Sequence, residues 1–421
     1  MTAVNYDSRA SGNPILNSLK RVYVSRPPEL TWKQKHALLD HLPKMKAFEG
    51  EPGYWIWNID YDHAAVSQNF AQALANRRPG STIKFGTDAA DIYSVAQFDA
   101  KTLRRARSNV GAFADTLESA YTNHMSAVIK RLAWGIYRND NGYLATLSSV
   151  TAGSSYVTLT NRRDVYAFSV GAMLEFDDTA TGASPKAETG ADNFTITKID
   201  AVNGRLYLTG IDGATNIAAS DYVFILGDSK TNQASFLGLE SYFPATVSSG
   251  ESFSSTAVDR SAMRTRLAGH YLDGTSMALD DAIQEMLHEI SYTSNGACTG
   301  IYMAPANMNV LARLCDAQVV RDPLGKGGIG YSGFEFASGV QGNVTVYGDP
   351  ACQSTDVWCL DTNSMALGHL TDDLCEIVTD GNDRLDRVYN ADSVEARFRS
   401  WCNLAVFAPG NNGHILVNAP A

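Results

Sequence analysis

The strongest pattern in the sequence is an apolar stripe of helical period between residues 113 and 136. Its members recur every three or four positions, as the buried side chains of an amphipathic α-helix do. They are Phe113, Leu117, Tyr121, Met125, Val128, Leu132 and Ile136. Asn109 or Ser108 can cap the N-terminus of this helix. At 1.5 Å per residue the predicted helix is about 40 Å long, which exceeds the length of most globular helices, so we expect it to form a spine.

The sequence changes character after residue 142. Residues 146–228 consist of short segments that alternate in polarity or are rich in β-branched and aromatic residues, with polar turns between them. The segments are SYVTLT, AMLEFDD, FTITKID, GRLYLTG and DYVFILGD. Asn203-Gly204 is a hairpin-turn signal, and residues 177–192 are a polar loop. Five or six short strands at regular spacing predict a small barrel or sandwich, inserted between stretches of helical and mixed sequence.

Two stretches near the N-terminus contain too few apolar residues to form cores of their own. Residues 1–53 hold one short helix signal, TWKQKHALLDHL, with Thr31 as the N-cap and Pro43 as the stop. Residues 82–85 and 91–98 are extended segments joined by a Gly-Thr-Asp-Ala-Ala turn, which predicts a long two-stranded hairpin. Because an isolated hairpin is only marginally stable, we expect both stretches to lie on another part of this chain or on a neighbour.

Helix and strand patterns alternate again after residue 228. The segment SMALDDAIQEMLHEI is an amphipathic helix, with Thr275 or Ser276 as its cap. A buried strand, GIYMAPA, and a second helix, NMNVLARLCDA, follow it. The later strands are GNVTVYGDP, DVWCLDT and CNLAVFAPG. Together with the strand-only block, this arrangement predicts an α+β chain of two or three domains.

Composition narrows the class of protein. The net charge of −11 disfavours tight DNA binding through a global field, although residues 1–50 and 101–138 lean basic and residues 151–228 lean acidic. No apolar run reaches the roughly 18 residues of a membrane helix, and the N-terminus lacks the pattern of a secretory signal. The 6 cysteines form no CxxC pair, so we expect buried free thiols. These features indicate a protein made and used in a cytosol, or in something assembled there.

The motifs that suggest chemistry are incomplete. The glycine-rich run GKGGIG at 325–330 looks like a phosphate loop, but Lys326 is followed by glycine instead of serine or threonine, and no helix start follows. His288-Glu289 lacks the second histidine of a zincin, and Gly330-Tyr331-Ser332-Gly333 is one residue short of a nucleophile elbow. Asp177-Asp178 fits a solvated turn better than a cation site. We therefore predict no enzyme activity, no metal site and no cofactor.

The order of the elements resembles that of the major capsid proteins of tailed bacteriophages, whose Johnson fold is shared with encapsulin shells. The stretch DIYSVAQFDAKTLRRARSNVGAF is similar to the family's return strand and the start of its spine helix. The block from GYLATLSSV to IAASDYVFILGD is similar to the β-barrel insertion of one branch. ALDDAIQEMLHEIS with GIYMAPANMNVLARL resembles the helix, strand and helix of the axial domain, and YSGFEF, VTVYGDP and NLAVFAPGNNGHI resemble its closing strands. The resemblance covers nearly the whole chain and depends on the order of these pieces.

The resemblance implies a division of the chain into five parts. They are an N-terminal arm (1–53), an extended loop that overlaps the next subunit (54–100), a peripheral domain with the spine helix (101–145 and 386–421), an inserted β-barrel domain (146–228) and an axial domain that meets its copies at the capsomer centre (229–385).

The function that the resemblance implies is structural. Copies would assemble in the cytoplasm of a bacterial host into hexamers and pentamers of an icosahedral virion head, which encloses double-stranded DNA without sequence-specific binding and involves no membrane. Because no long charged helical segment precedes the arm, we expect either a separate scaffolding protein or none. A portal and cement or decoration proteins are the other implied partners. The expected assembly contacts are Lys84, Phe85, Arg104, Arg105 and Lys326.

Some members of this family join a lysine of the extended loop covalently to an asparagine of the peripheral domain. Lys84 is the lysine nearest the tip of the predicted hairpin, and Asn390 and Asn403 are candidate partners. A salt bridge of Lys84 is the simpler expectation.

The GKGGIG loop lies between an axial-domain helix and the YSGFEF strand. We expect it near the capsomer axis, where its glycines would let one sequence adopt different shapes around five-fold and six-fold centres.

Two other functions stay open at this stage. An encapsulin-like nanocompartment shell shares the fold but packages a cargo enzyme, and the barrel insertion and chain length favour the phage head over it. A carbohydrate-binding protein would use the barrel as its binding module, with Tyr156, Tyr166, Tyr207 and Tyr222 as its aromatic residues. The barrel region contains no tryptophan, which weakens this second alternative.

Overall fold

The structure is a computed structural model that describes most of the chain. The described residues are 36–48, 54–62, 66–76, 81–99, 110–150, 154–186, 194–209, 211, 216–231, 236–247, 252–253, 256–293, 298–314, 333–338, 340–371, 373–378, 386–387 and 392–419.

Helices and strands are numbered in chain order. The α-helices are α1 (Ala37–His41), α2 (Phe70–Ala75), α3 (Val110–Ile136), α4 (Leu239–Tyr242), α5 (Arg264–Leu267), α6 (Leu279–Thr293) and α7 (Pro305–Leu314). The first strands are β1 (Lys44–Lys46), β2 (Trp55–Asp62), β3 (Ser81–Thr87), β4 (Ala90–Asp99), β5 (Ala145–Val150), β6 (Tyr156–Leu159), β7 (Met173–Asp177), β8 (Phe194–Asp200), β9 (Arg205–Thr209) and β10 (Tyr222–Ile225). The later strands are β11 (Ser252–Phe253), β12 (Thr256–Ala257), β13 (His270–Asp273), β14 (Gly300–Met303), β15 (Gly333–Ser338), β16 (Gly342–Gly348), β17 (Asp356–Leu360), β18 (Met365–His369), β19 (Glu376–Ile377), β20 (Asp386–Arg387), β21 (Ser393–Val406) and β22 (Gly413–Leu416). Short 3-10 helices lie at Arg162–Ala167, Arg260–Met263, Thr362–Ser364 and Pro409–Asn411.

The first sheet is built around β21, a strand of 14 residues. β4 runs antiparallel along its N-terminal part, and β18 runs antiparallel along its C-terminal part on the opposite side. β1 extends the sheet as a parallel neighbour of β18, and β19 and β20 also pair with β21. Tyr121 and Val128 of α3 pack on one face of this sheet against Ala96, Ala396 and Phe398.

Helix α3 confirms the helix predicted from the apolar stripe. It has 27 residues and ends at Ile136, the last member of that stripe. Tyr121, Val128, Leu132 and Ile136 are all buried. The polar run Asn139-Asp140-Asn141-Gly142 follows directly, so the chain leaves the helix where its apolar stripe stops.

The second sheet has the strand order β13-β22-β17-β14-β16-β15. Helix α6 covers one face and shares a core with these strands. The side chains of that core include Ile283, Met286, Leu287 and Ile290 of the helix and Ile301, Val346, Val357 and Ile415 of the sheet. The predicted cap, Thr275 or Ser276, is wrong, since the helix begins at Leu279 and the hydroxyl of Thr275 donates to Asp273 at 2.7 Å.

Strands β5 to β10 form a closed barrel in the order β10-β5-β6-β9-β8-β7, which confirms the predicted barrel. Its buried residues include Leu147, Val157, Leu174, Phe176, Phe194, Ile196, Leu206, Leu208 and Val223. The predicted Asn203-Gly204 turn joins β8 to β9. Gly204 has φ +66°, and a Cβ atom there would lie 2.8 Å from Cα of Arg162, so both backbone conformation and space require glycine.

The hairpin predicted from residues 82–85 and 91–98 is wrong in its pairing, although both strands exist. β3 pairs antiparallel with β2 and not with β4, while β4 pairs with β21. Trp57 lies opposite Phe85, and both side chains are buried in the main core. A hairpin of β3 with β4 would leave the apolar side of β3 without this partner, so tertiary burial overrides the short turn between the two strands.

The described part of the N-terminal arm packs on this chain itself. Ala37, Leu38 and Leu39 of α1 are at most 1% exposed and belong to the main core, together with Leu42. The helix ends before Pro43, as predicted, and β1 then pairs with β18. The predicted N-cap Thr31 lies outside the described residues. Residues 36–48 are therefore part of the folded subunit.

The cysteines within the described residues are buried thiols, as predicted. Cys298, Cys352, Cys359, Cys375 and Cys402 are all free and buried. Cys315 lies outside the described residues. Burial raises the pKa of Cys402 to about 12, so this thiol stays protonated at neutral pH.

Asp177 does not lie in a solvated turn, which corrects the prediction for the Asp177-Asp178 pair. Its side chain is fully buried at the end of β7. The carboxylate accepts hydrogen bonds from the backbone N–H and the hydroxyl of Thr179, each at 2.6 Å, and from the backbone N–H of Ser184 at 2.6 Å. Asp177 therefore holds the loop that follows the strand in place.

Candidate assembly surfaces

Strands β2 and β3 form a two-stranded ribbon with one covered face and one exposed face. Trp57, Ile59 and Phe85 are buried in the main core, and the indole N–H of Trp57 donates to the carbonyl of Val406 at 2.9 Å. Ile56 is 48% exposed on the other face. Successive side chains of a strand point to opposite faces, so burial of Trp57 turns Ile56 outward.

Helix α2 lies between the two ribbon strands in the sequence, and none of its side chains is buried against the described part of the chain. Phe70 is 82% exposed, Leu74 is 49% exposed and the nearby Val66 is 96% exposed. Asn69 caps the helix by accepting a hydrogen bond from the backbone N–H of Ala71 at 2.9 Å. An ordered, capped turn of helix that shows apolar side chains to water is typical of an interaction surface.

The predicted contact residues separate into three groups. Lys84 is exposed on the ribbon, but it lies opposite Asn58 within the strands and not at the ribbon end. Phe85 is fully buried against Trp57, with ring centroids 6.2 Å apart, so it is a core residue of this subunit and not a surface contact. Arg104, Arg105 and Lys326 lie outside the described residues, as does the GKGGIG loop.

The outer face of the first sheet carries a second apolar surface that the sequence reasoning missed. Tyr93 is 57% exposed and Val95 is 50% exposed on β4. The indole N–H of Trp401 donates to the Tyr93 hydroxyl at 2.9 Å, and the guanidinium of Arg399 lies 4.1 Å from the Trp401 ring centroid. The sequence signal for this surface was the segment EARFRSW, in which large side chains recur at every second position. Side chains at every second position of a strand lie on one face, here the face opposite α3.

Asn403 is not accessible as a partner for a lysine of another copy. Its side chain is 2% exposed. Its Oδ1 accepts hydrogen bonds from the backbone N–H groups of Leu237 and Leu404, each at 2.9 Å, and its Nδ2 donates to the carbonyl of Asp88 at 2.7 Å. The residue is a structural link between three segments. Asn390, the other predicted partner, lies outside the described residues.

A polar cleft of about 440 Å³ opens between the end of α3, the segment around α4 and the edge of the second sheet. Within it, Nε2 of His414 lies 2.8 Å from Oδ1 of Asp356, and its Nδ1 lies 3.3 Å from the carbonyl of Phe243. The His414 ring also stacks on Trp358 at 4.0 Å. Burial, followed by the negative charge of Asp356, raises the pKa of Glu240. Both nitrogens of His414 thus bind groups of the chain, so the residue links β22 to β17 and to α4.

The described residues bear on two other kinds of site, a metal centre and a membrane span. In this part of the chain, no three histidine, cysteine, aspartate or glutamate side chains are grouped so that they could hold a metal ion. The helices of the same residues are too short or too polar to cross a membrane.

Comparison with known proteins gives matches in structure but not in sequence. No protein-family profile and no curated protein match this chain significantly. A chain of the cyanophage A-1(L) capsid asymmetric unit matches with a TM-score of 0.50 and 11% identity over 92% of each chain. The SrpI encapsulin of Synechococcus elongatus PCC 7942 matches with a TM-score of 0.45 and 8% identity, covering 91% of this chain and 88% of the other. The satellite phage P4 procapsid matches with a TM-score of 0.42 and 10% identity, covering 98% and 94%.

This chain therefore has the mixed helix-and-strand fold of the cyanophage capsid chain, which confirms the fold resemblance drawn from the order of the sequence elements. An identity of 11% also accounts for the absence of a sequence match. What is shared is the order and packing of the elements.

Proposed function

We propose that this chain is the major capsid subunit of a bacteriophage head. The observation that carries the proposal is the fold shared with the cyanophage capsid chain over 92% of both chains. The exposed apolar side chains of α2 support it independently, because they need a partner that the described residues of this chain do not supply. In the proposed head, copies form hexamers and pentamers of an icosahedral shell that encloses double-stranded DNA.

The ribbon end is the proposed contact between neighbouring copies. Phe70, Leu74 and Val66 of one copy pack on the next, and each large apolar side chain that is buried contributes about 1.5–3 kcal/mol. A single contact of this size is weak. A shell repeats it for every copy, and the repeated contacts together make the closed particle stable.

The proposed division of the chain is the one implied by the resemblance. Residues 1–53 are the arm, 54–100 the extended loop and 146–228 the barrel insertion. The two remaining units are the peripheral domain, formed by 101–145 with 386–421, and the axial domain, formed by 229–385. In this division β22 crosses from the C-terminal segment into the axial sheet, where it pairs with β13 and β17.

The proposed partners follow from the role of a shell subunit. They are other copies of this chain, a separate scaffolding protein, a portal, and cement or decoration proteins. Assembly takes place in the cytoplasm of the bacterial host, and the mature chain is part of the virion. The DNA inside is held by enclosure, which needs no sequence-specific contacts.

Electron microscopy of the expressed full chain, alone and with its scaffolding protein, tests this function. We expect closed shells or tubes, and virions that contain double-stranded DNA. Particles that contain a cargo enzyme and no DNA would favour the encapsulin-like nanocompartment instead. Monomers that persist at high concentration with scaffold present would contradict both.

A further inference from the structure

One wall of the barrel carries aromatic rings and cations in alternation. The residues are Tyr156 on β6, Lys198 on β8, Arg205 and Tyr207 on β9, and Arg162 in the 3-10 helix beside them; we call this the basic barrel face. Their side chains point outward, because the intervening Val157, Leu206 and Leu208 are buried inside the barrel.

The rings and cations of the basic barrel face form a short ladder. The amino group of Lys198 lies 5.0 Å from the centroid of Tyr207, and the guanidinium of Arg205 lies 4.5 Å from the centroid of Tyr156. The two tyrosine rings are 5.4 Å apart. The ladder therefore holds two cations within about 15 Å of each other, on a rigid aromatic support.

Lys198 lies near Asp200, but none of these cations is in salt-bridge contact with a carboxylate among the described residues. Neither Lys198, Arg205 nor Arg162 takes part in an ion pair there, although the chain has a net charge of −11. Asp200 stands opposite Arg205 in the strand pairing, but its carboxylate accepts hydrogen bonds from Val202 and Asn203 of the turn. Nε of Arg205 is buried without an acceptor. Hydrogen bonds from Asn203, with a smaller effect of the Lys198 charge, lower the pKa of Asp200, so Lys198 is partly compensated. Arg205 and Arg162 have no ion-pair partner among the described residues.

A complementary surface lies on α6. The helix contains two aspartates and two glutamates and no lysine or arginine. Asp281, Glu285 and Glu289 follow each other at four-residue spacing and are exposed; we call them the acidic stripe. They face outward because Ile283, Met286, Leu287 and Ile290 bury the opposite side of the helix. The stripe spans about 12 Å along the helix, which matches the reach of the cation ladder.

We infer that the basic barrel face of one copy binds the acidic stripe of a second copy. The inference rests on the proposed shell function, because only an assembly brings two copies together at high local concentration. The two surfaces differ in sign and lie on different parts of the chain. The contact is therefore heterologous, and it repeats from copy to copy around a ring. Such charge pairing fixes orientation and weakens as salt is raised.

Carbodiimide coupling of isotopically mixed shells tests the contact without any substitution. Unlabelled and nitrogen-15-labelled full-length protein are assembled together. The carbodiimide then joins a lysine amine to a nearby carboxylate as an amide and takes up the water released. We expect peptides that link Lys198 to Asp281 or Glu285 and that combine one light and one labelled chain. Shells in which other lysines couple between copies but Lys198 does not would overturn the inference.

Charge exchange tests the same contact by assembly yield. Lys198→Glu with Arg205→Glu should lower the yield of closed shells about tenfold at moderate salt, and Asp281→Lys with Glu285→Lys should do the same. All four changes together should restore the yield to within about threefold of wild type. Arg313→Glu and Asp178→Lys are matched controls, because they reverse exposed charges outside both surfaces.

The proposed contact and the proposed shell function predict different results in this experiment. If wild type assembles and the basic-face variant assembles equally well at every salt concentration, the contact is wrong and the shell function stands. If wild type forms no shells, both are wrong. Melting curves of the unassembled variants show whether the subunit is still folded.

Discussion

The hydroxyl of Tyr137 donates a hydrogen bond to Oδ2 of Asp349 at 3.0 Å, and both side chains are buried. The same carboxylate accepts the backbone N–H of Leu38 at 3.3 Å and that of Ala351 at 2.9 Å, and it lies 3.3 Å from Nδ1 of His36. It therefore connects the arm, the end of the spine helix and the loop after β16. Burial, followed by the charge of Asp349, raises the pKa of Tyr137, so the hydroxyl remains a donor at neutral pH.

Replacing Tyr137 by phenylalanine tests this connection. Tyr137→Phe removes one donor from a buried carboxylate and should lower the free energy of unfolding by about 1.5–3 kcal/mol. Urea unfolding of the unassembled subunit measures the change. Tyr292→Phe is the control, because Tyr292 is 86% exposed and should change stability very little. Equal effects of the two substitutions would contradict the role given to Asp349.

The exposed side chains of α2 should matter for assembly and not for folding. Phe70→Ser with Leu74→Ser leaves the core unchanged, so the melting temperature of the subunit should stay close to that of wild type. The yield of closed shells, measured by sedimentation, should fall strongly because the contact with the next copy is lost. Gln72→Ser, on the same exposed helix, is the matched control. Normal shell yield from the double variant would show that α2 is not an assembly contact.

Phe85→Ser provides the opposite pattern. Phe85 is fully buried against Trp57, so its truncation should cost about 3–5 kcal/mol and leave little folded subunit. Circular dichroism before assembly measures this loss. A folded Phe85→Ser subunit that fails only in assembly would return Phe85 to the surface role predicted from the sequence.

Glu240 should make the subunit less stable as the pH rises. Burial and Asp356 raise its pKa above the ordinary 4.5, while Arg138 and His414 act in the opposite direction with smaller effect. The folded state therefore binds the proton more tightly than the unfolded state. The resulting stabilisation is complete below the unfolded pKa and is lost as the pH rises through the folded pKa.

Glu240→Gln keeps the shape of the side chain and removes the charge. We expect it to lose less stability than wild type as the pH rises above the ordinary pKa of 4.5, as measured by urea unfolding of the unassembled subunit. Glu285→Gln, on the exposed face of α6, is the matched control and should follow wild type. A Glu240→Gln curve parallel to that of wild type would contradict the direction of the pKa shift.

The thiols should react slowly in the folded subunit. Burial raises the pKa of Cys375 and of Cys402 to about 12, and the other described cysteines are buried as well. We expect a thiol reagent at neutral pH to label no cysteine other than Cys315 in the native state. After unfolding, it should label all 6 cysteines. Cys315→Ser should remove any fast phase. Rapid native labelling of this variant would contradict the burial of the remaining thiols.

Local periodicity was enough to predict the long helices and the barrel, but not the short helices α2, α4 and α5. The stripe that ends at Ile136 and the Asn203-Gly204 turn both act over a few residues, and the structure confirms the helix and the hairpin that they predict. The buried free cysteines follow in the same way from their number and spacing.

Long-range pairing was not predictable from the same patterns. β3 and β4 are adjacent in the sequence, yet β3 pairs with β2 and β4 pairs with β21, about 300 residues further on. Phe85 and Asp177 were misjudged because each adjoins an exposed charged residue, Lys84 or Asp178, whereas their own side chains are buried. Trp401 and Tyr93 point outward because α3 covers the other face of the sheet. No local pattern determines which face α3 covers.

The most direct test of the proposed function is an electron cryo-microscopy reconstruction of particles formed by the full chain, with scaffolding protein supplied. We predict a closed icosahedral shell in which Phe70 and Leu74 of every copy are buried against a neighbouring copy. A shell in which α2 stands free in solvent would contradict the ribbon contact. A chain that stays monomeric under these conditions would contradict the central claim that it is a capsid subunit.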